Sequence, residues 1–401
     1  MSFANLPSVT PLSRLRPQIQ DLTVDSIAEL ATRASAMTDV IPLWYGEGDL
    51  VTPDFIREAC KRALDGGETF YVPDMHGTAG LRAALSAYQT RLQGRTIGPA
   101  RSTVTPGGMQ SALLAMELIA DAGTNVALLE PQWPNIGRVV HLVGAEARPV
   151  AMQPGAAGWV LDLDAVAARC DARTRAVVLS TPSNPSGWTA TGAELRALLD
   201  LCRARGIWLV TDEVYARLYF GAENGGLVAP SALQIAEPDD LVMCINSFSK
   251  AWAMTGIRVG WLNHPESIAP RVAAMTQYMT SGVAAVLQAG AAVALEQGEA
   301  FVGTMRERCR AGLDLAYERL SRIGRIELLP KPVGGMYVFF RLRGEPDSRA
   351  ACRTILERAR VGLAPGYLFG DASAAFIRMC ICRDPLQLGT ALDRIERALT
   401  S

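Results

Sequence analysis

The sequence predicts an α/β protein in which a mainly parallel central sheet, flanked by helices, adjoins a smaller α+β domain. Three observations lead to this fold. Short apolar runs lack polar alternation, as expected for strands that are covered on both faces. Helical patterns separate these runs, which is typical of parallel βαβ units. Beyond about residue 300 the pattern changes to a long amphipathic helix followed by further strand-like runs.

The predicted elements follow in chain order from about residue 54. Strands are predicted at residues 126–129, 176–180, 207–211, 241–246 and 257–262. Helices are predicted at residues 108–120, 192–205, 265–297 and 299–321, and a further strand at 376–382. We expect three parts: an N-terminal segment, 1–45, that packs on the small domain, a large ligand-binding domain, 46–290, and a small C-terminal domain, 291–401. Ligands of parallel sheets bind at the carboxyl ends of the strands, where the notable polar residues of this chain lie.

Composition narrows the class of protein. The 401 residues are 49% hydrophobic and 20% charged, with a formal net charge of −1. Such values are typical of a globular enzyme and give no electrostatic reason to expect nucleic acid or an anionic membrane as partner. Residues 1–18 lack the apolar core of a secretory signal, and the apolar stretch 283–295 is too short to span a bilayer, so we expect a cytoplasmic protein. The eight cysteines are scattered and the three histidines lie far apart in the sequence, which favours buried thiols over a disulfide or a metal site.

Lys250 directly follows a predicted strand, in the sequence Ser-Phe-Ser-Lys. A lysine at a strand end can lie at the floor of a cleft, where desolvation favours the neutral amine. A neutral amine can form an imine with a carbonyl cofactor. Since a lone lysine is more often a solvated surface residue, the interpretation depends on its neighbours.

Three other features fit a pyridine cofactor, although each has an ordinary explanation. Asp212 could pair with a protonated ring nitrogen, which makes the ring an electron sink, or it could cap a following helix. Asn184 could donate to a phenolic oxygen, or Asn-Pro could simply mark a turn. Gly107 and Gly108 open a predicted helix, where backbone N–H groups and the helix dipole favour a phosphate. Two adjacent glycines are a weak signal by themselves.

Together these residues resemble the class I/II pyridoxal-phosphate aminotransferases, which have the aspartate aminotransferase fold, fold type I. The resemblance covers nearly the whole chain in the family's order, and this ordered set is far more specific than any one motif. The matching motifs are Gly46-Glu47-Gly48-Asp49, Tyr71 with Gly77, Thr105-Pro106-Gly107-Gly108-Met109, Pro131-Gln132-Trp133, Asn184-Pro185-Ser186-Gly187, Asp212-Glu213-Val214-Tyr215, Ser247 to Lys250 with Gly256 and Arg258, and Pro365-Gly366 with Arg378.

The resemblance implies a role for each matching residue around pyridoxal 5′-phosphate. Lys250 forms the imine and later moves a proton between substrate and cofactor, and Asp212 pairs with the ring nitrogen. Asn184 and Tyr215 bond the phenolic oxygen. Trp133, otherwise a core or interface tryptophan, stacks on the ring.

The same resemblance implies two anion sites. The phosphate site comprises Gly107, Gly108, Met109, Ser247, Arg258 and, from the neighbouring subunit of a homodimer, Tyr71. The substrate site comprises Gly46, Trp133, Asn184 and Arg378, whose guanidinium binds the α-carboxylate. Taken alone, Arg258 could be a surface ion-pair residue and Arg378 an ordinary strand arginine.

The implied activity is that of an aminotransferase, in which an L-amino acid gives its amine to the cofactor and a 2-oxo acid later accepts it, by a ping-pong mechanism. A C–S lyase or another enzyme that forms a carbanion at Cα is the alternative, because the same residues serve both. A non-catalytic regulator that binds the cofactor is a remote alternative, since the resemblance begins near residue 41 and we expect no preceding DNA-binding domain. No residue matches a second arginine that would bind a dicarboxylate side chain, so aspartate specificity is doubtful.

Overall fold

The computed structural model describes residues 10–20, 22 and 26–400. Residues 1–9, 21, 23–25 and 401 lie outside these ranges, so the predicted N-terminal segment 1–45 is described only in part. The helices are α1 Pro17–Gln20, α2 Ser26–Ser35, α3 Asp54–Asp65, α4 Ala79–Gln93, α5 Gly108–Ile119, α6 Pro134–Leu142, α7 Leu163–Arg169, α8 Gly192–Arg205, α9 Ala232–Ile235, α10 Ala269–Thr280, α11 Ala285–Gln297, α12 Glu299–Leu320, α13 Ser348–Ala359 and α14 Pro385–Thr400.

The strands are mostly short. They are β1 Ile41–Pro42, β2 Ser102–Thr105, β3 Asn125–Glu130, β4 Glu146–Ala151, β5 Gln153–Gly155, β6 Gly158–Val160, β7 Thr174–Ser180, β8 Trp208–Asp212, β9 Val242–Ser247, β10 Gly260–Asn263, β11 Ile326–Leu328, β12 Tyr337–Leu342, β13 Val361–Gly362, β14 Ala364–Pro365 and β15 Phe376–Cys380.

A seven-stranded sheet in the order β2-β10-β9-β8-β7-β3-β4 forms the centre of the molecule. Strands β9, β8, β7, β3 and β4 pair in parallel, while β10 pairs antiparallel with both β9 and β2. Alternate residues of β7 enter different cores: Val177 and Leu179 pack on one face, and Ala176 and Val178 on the other. The predicted mainly parallel sheet, covered on both faces, is confirmed.

Two predicted elements differ in the structure. The predicted strand 257–262 begins only at Gly260, because residues 255–257 form a turn and Arg258 has a left-handed backbone (φ 62°). It also runs antiparallel to its neighbours. The single predicted helix 265–297 is wrong, since Ser281 (φ 54°) and Gly282 (φ 88°) end α10, and α11 begins at Ala285.

A smaller antiparallel sheet, in the order β11-β12-β15-β14, is formed by the C-terminal part of the chain. Helices α12, α13 and α14 pack beside it through buried residues such as Leu313, Ile355 and Leu392. The N-terminal part joins this body, because β1 pairs in parallel with β13. This is the predicted smaller α+β body, while the domain boundaries after residues 45 and 290 stay predictions. None of the helices in the described part of the chain has the length and apolarity that a bilayer crossing requires.

Candidate active site

One cavity of about 280 Å³ lies where the carboxyl ends of the central strands meet the smaller sheet. Asp212 ends β8 and Ser247 ends β9, as expected for polar residues at the ligand-binding edge of a parallel sheet. The structure brings all the predicted site residues except Gly107 and Tyr71 to the wall of this cavity. These are Gly46, Gly108, Met109, Trp133, Asn184, Asp212, Tyr215, Ser247, Lys250, Arg258 and Arg378.

Lys250 lies in the turn that follows β9 and is partly buried. Its Nζ donates to the carbonyl oxygen of Gly46 at 2.6 Å, so the side chain already points across the cavity. Burial lowers the pKa of Lys250 to about 8. A substantial fraction of the amine is therefore neutral near physiological pH, which is the form that attacks a carbonyl carbon.

Asp212 is 3% exposed, and its carboxylate accepts a hydrogen bond from the Val214 amide at 3.2 Å. Desolvation raises its pKa to about 6. Residues 214–217 form a turn, so the helix-capping explanation of Asp212 is wrong. The neighbouring Glu213 accepts hydrogen bonds from Ser231 and Thr211 instead. Asp212 lines the cavity, and Glu213 does not. A buried carboxylate of this kind would be stabilised by a cationic ring nitrogen brought beside it.

Arg378, on β15, lies on the side of the cavity formed by the smaller sheet. Its Nη1 donates to Asn184 Oδ1 at 2.8 Å and its Nη2 donates to the Trp44 carbonyl oxygen. The guanidinium lies 4.6 Å from the centre of the Tyr337 ring and 4.8 Å from that of Phe369. Within the described residues its buried Nε has no hydrogen-bond partner. A rigidly held guanidinium with an unused donor is suited to a carboxylate.

The opposite end of the cavity combines a helix N-terminus with a cation. Gly108 begins the twelve-residue helix α5, and Ser247 and Arg258 line the same end. Gly107 (φ 84°) lies just outside the wall, and a Cβ there would come within 2.4 Å of Arg258 Nη2. A side chain at position 107 would therefore fill the space that Arg258 occupies. Free helix N–H groups, a hydroxyl and a guanidinium form the donor set of a phosphate site.

Tyr71 lies outside the cavity of its own chain and is 84% exposed, as is the adjacent Phe70. Its predicted contact with the phosphate would therefore require a second subunit.

Several residues that line the cavity were missed by the sequence analysis. Ser249 could have been noticed in the sequence, because it repeats Ser247 two positions on. In the structure the Oγ atoms of the two serines are 2.9 Å apart and both residues line the cavity. Tyr337 gave no signal, since it opens a strand of the smaller sheet, yet its hydroxyl lies 2.6 Å from that of Tyr215. The others are Ile27, Tyr45, Pro134, Asn135, Ile136, Val214, Ile245, Leu368 and Phe369.

Comparison with known proteins agrees with this geometry. The family model of class I and II aminotransferases matches residues 38–395. The probable aspartate/prephenate aminotransferase of Aquifex aeolicus is 31% identical in an alignment 400 residues long that covers 97% of each chain. The arginine–pyruvate transaminase of Pseudomonas aeruginosa is 32% identical over 359 residues, or 89% of each chain. A solved structure of a single mutant of Thermus thermophilus aspartate aminotransferase superposes with a TM-score of 0.88 at 30% identity, covering 96% of this chain and 99% of that one.

The residues of the cavity fit the cofactor of these enzymes. A partly buried amine, a desolvated carboxylate and a helix N-terminus with a guanidinium correspond to the carbonyl, the ring nitrogen and the phosphate of pyridoxal 5′-phosphate. The chain belongs to the class I and II aminotransferases and is a transaminase that uses pyridoxal 5′-phosphate.

Proposed function

We propose that the cavity works as a ping-pong aminotransferase site in which Lys250 is the attachment point of the cofactor and the proton carrier. The position of Lys250 carries this proposal: its amine is desolvated in a cavity that also holds Asp212 and Arg378. Bound pyridoxal 5′-phosphate supplies the electron sink for a carbanion at the substrate Cα and holds the amino group between the two half-reactions.

In this proposal the protein orients the cofactor through its ring. Asp212 would pair with the ring nitrogen and Trp133 would stack on the ring face. Asn184 uses its Oδ1 to accept from Arg378, which leaves its Nδ2–H groups to donate to the phenolic oxygen. The buried hydroxyl of Tyr215 would donate to the same oxygen.

The phosphate would be bound at the N-terminus of α5. Backbone N–H groups of Gly108 and Met109 would donate to it, together with Ser247 Oγ and the Arg258 guanidinium. Gly107 keeps the space for Arg258 open. In a homodimer, which we also propose, Tyr71 of one subunit would complete the phosphate site of the other.

The substrate would be held by its α-carboxylate on Arg378, with Gly46 beside it. Since Lys250 lines the same cavity as Arg378, a substrate held in this way would lie within the cavity that contains the lysine amine. As the neutral amine, Lys250 would accept the proton from the substrate Cα, and as the ammonium it would donate that proton back in the second step of the transfer. The Gly46 carbonyl oxygen, 2.6 Å from Nζ, is an acceptor for the ammonium form.

The cavity wall favours amino acids with uncharged side chains. Among the described residues that line it, the charged ones are Asp212, Lys250, Arg258 and Arg378, and each is assigned above to the cofactor or to the α-carboxylate. The remaining wall includes Ile27, Ile136 and Leu368. We therefore expect leucine- or phenylalanine-like donors to react faster than aspartate, whose second carboxylate would meet apolar carbon.

Single-amino-acid half-reactions test this function. Each amino acid is mixed alone with the holoenzyme, and loss of the cofactor's visible band is followed with time. We expect conversion without a 2-oxo acid, and none in Lys250→Ala. The control is Lys61→Ala, which removes an exposed lysine paired with Glu58. Retained conversion in Lys250→Ala would refute the assignment, and release of ammonia and pyruvate would indicate a lyase instead.

The three-part domain division and the cytosolic location stay predictions that accompany this proposal.

Arg378→Ala should lower kcat/KM for both amino acids and 2-oxo acids while leaving the visible band of the cofactor intact, because Arg378 is proposed to bind the substrate carboxylate. An unchanged kcat/KM would contradict the proposed role of Arg378.

A further inference from the structure

We propose that Tyr337 is a positioning residue for the cofactor, because its hydroxyl donates to the Tyr215 hydroxyl and directs the Tyr215 O–H toward the phenolic oxygen. The inference rests on the proposed role of Tyr215. It adds a residue from the smaller sheet to a part of the site that otherwise belongs to the central sheet.

The geometry joins the two tyrosines closely. Their hydroxyl oxygens are 2.6 Å apart, and their rings meet edge to face with centres 5.7 Å apart. Tyr337 is 1% exposed and lines the cavity. Its partners are therefore protein groups or a ligand rather than bulk water.

The absence of a side chain at Gly46 leaves the space that the Tyr337 hydroxyl occupies. A Cβ at position 46 would lie 1.9 Å from the Tyr337 oxygen and 3.4 Å from the Tyr215 oxygen. The same glycine accepts the hydrogen bond from Lys250. Only a glycine there lets the Tyr337 hydroxyl reach Tyr215 at this distance.

The direction of the hydrogen bonds follows from the chemistry. Burial raises the pKa of both Tyr215 and Tyr337, so both hydroxyls are protonated and each has one proton to donate. If the Tyr215 O–H donates a hydrogen bond to the phenolic oxygen of the cofactor, the Tyr215 oxygen must accept the hydrogen bond from the Tyr337 O–H. A donor that accepts a hydrogen bond becomes a stronger donor, since the bonds in a chain polarise one another.

The consequence can be measured in the bound cofactor. A stronger donor stabilises negative charge on the phenolic oxygen, which lowers the pH at which the Lys250-linked cofactor loses its proton and changes colour. Tyr337→Phe removes only the hydroxyl and keeps the ring under the Arg378 guanidinium, 4.6 Å away. The pH midpoint of the colour change should therefore rise, by less than it does in Tyr215→Phe, where the donor itself is lost.

The test is a spectrophotometric pH titration of four holoenzymes: wild type, Tyr337→Phe, Tyr215→Phe and the double variant. Tyr317→Phe is the matched control, because its hydroxyl donates to the Leu329 carbonyl oxygen and lines a different surface groove. We expect Tyr337→Phe to raise the midpoint in the wild-type background and to add nothing in the Tyr215→Phe background. Tyr317→Phe should leave the midpoint unchanged.

Other outcomes separate the failure of this inference from that of the proposed function. A midpoint that moves in Tyr215→Phe but not in Tyr337→Phe overturns the role of Tyr337 and leaves the proposed function standing. An equal shift from Tyr337→Phe in both backgrounds also overturns it, because Tyr337 would then not act through Tyr215. A midpoint unmoved by either substitution overturns the role of Tyr215 and the inference together.

Discussion

At Lys250, burial and a backbone acceptor act on the same amine in opposite directions. The Gly46 carbonyl oxygen favours the charged ammonium, whereas removal from water favours the neutral amine. Desolvation is the larger effect, because the pKa falls to about 8. The residue can therefore be both a nucleophile toward the cofactor and a proton carrier within the same pH range.

The rate of cofactor capture should follow the ionisation of Lys250. The neutral fraction rises with pH, so the second-order rate constant for pyridoxal 5′-phosphate binding to the cofactor-free enzyme should increase with a midpoint near pH 8. Below the midpoint it should fall about tenfold per pH unit. Stopped-flow absorbance measures this rate, with N-acetyl-lysine as the reference amine. A midpoint as high as that of the reference would contradict the effect of burial.

The sequence predicted the site residues that follow central strands, and the reason is physical. Asp212 and Ser247 end parallel strands, and Asn184 lies in the loop after one, so the topology of the sheet brings them together. Tyr337 could not be found in this way. Its place in the cavity depends on how the smaller sheet packs against the central one, which local periodicity does not specify.

At the scale of elements, helix α12 approaches the C-terminal backbone closely at one residue. A Cβ on Gly312 would lie 2.3 Å from the carbonyl oxygen of Ile381, which is backbone and cannot rotate away. Gly303, in the same helix, has open space where its Cβ would be. Substitution of these two glycines therefore distinguishes the effect of close packing, at Gly312, from that of helix propensity, at Gly303.

Gly312→Ala should destabilise the protein by about 1–3 kcal/mol, because the added methyl group forces α12 away from Ile381. Gly303→Ala should instead stabilise it by up to ~1 kcal/mol, since alanine favours the helix interior. Urea unfolding at a fixed cofactor concentration measures both. Equal effects of the two substitutions would show that the close approach to Ile381 does not constrain the helix.

The periodicity of apolar residues predicted where uninterrupted helices begin and end better than it predicted breaks between consecutive helices. The predicted helices at 192–205 and 299–321 agree with α8 and α12 to within one residue, because their apolar faces repeat without a break. The break after α10 was missed, since the left-handed backbone at Ser281 does not disturb the apolar pattern. The orientation of β10 was missed for a related reason: an apolar run contains no information about its direction.

At the scale of the whole molecule, the predicted role of Tyr71 in the phosphate site requires a second chain. Its aromatic ring and that of Phe70 are each 84% exposed, and adjacent exposed aromatic side chains are typical of interfaces. In the proposed homodimer, one subunit's Tyr71 and the other's Lys250 belong to the same site.

Subunit mixing tests this sharing. When Lys250→Ala and Tyr71→Ala chains are co-refolded in equal amounts, the mixed dimer has one site with both residues intact. Random association then predicts about a quarter of wild-type activity under conditions where neither variant alone is active. The control pair is Lys250→Ala with Arg378→Ala, whose altered residues would belong to the same chain's site, so no activity should return. Equal recovery in both pairs, or recovery in neither, would refute a shared site.

The antiparallel pairing of β10 with β9 has a consequence for how the site assembles during folding. Ser247 pairs with Gly260, so the segment that carries Lys250 and Arg258 is a closed loop with both ends on adjacent strands. Lys250 and Arg258 are thus brought together by local chain closure, which has a small entropic cost. Arg378 must instead find Asn184 across 194 residues of chain. A nascent chain that has folded as far as β10 therefore already has Lys250 and Arg258 in place, the proposed cofactor lysine and phosphate-site arginine. Arg378, the proposed carboxylate-binding arginine, arrives only with the last part of the polypeptide.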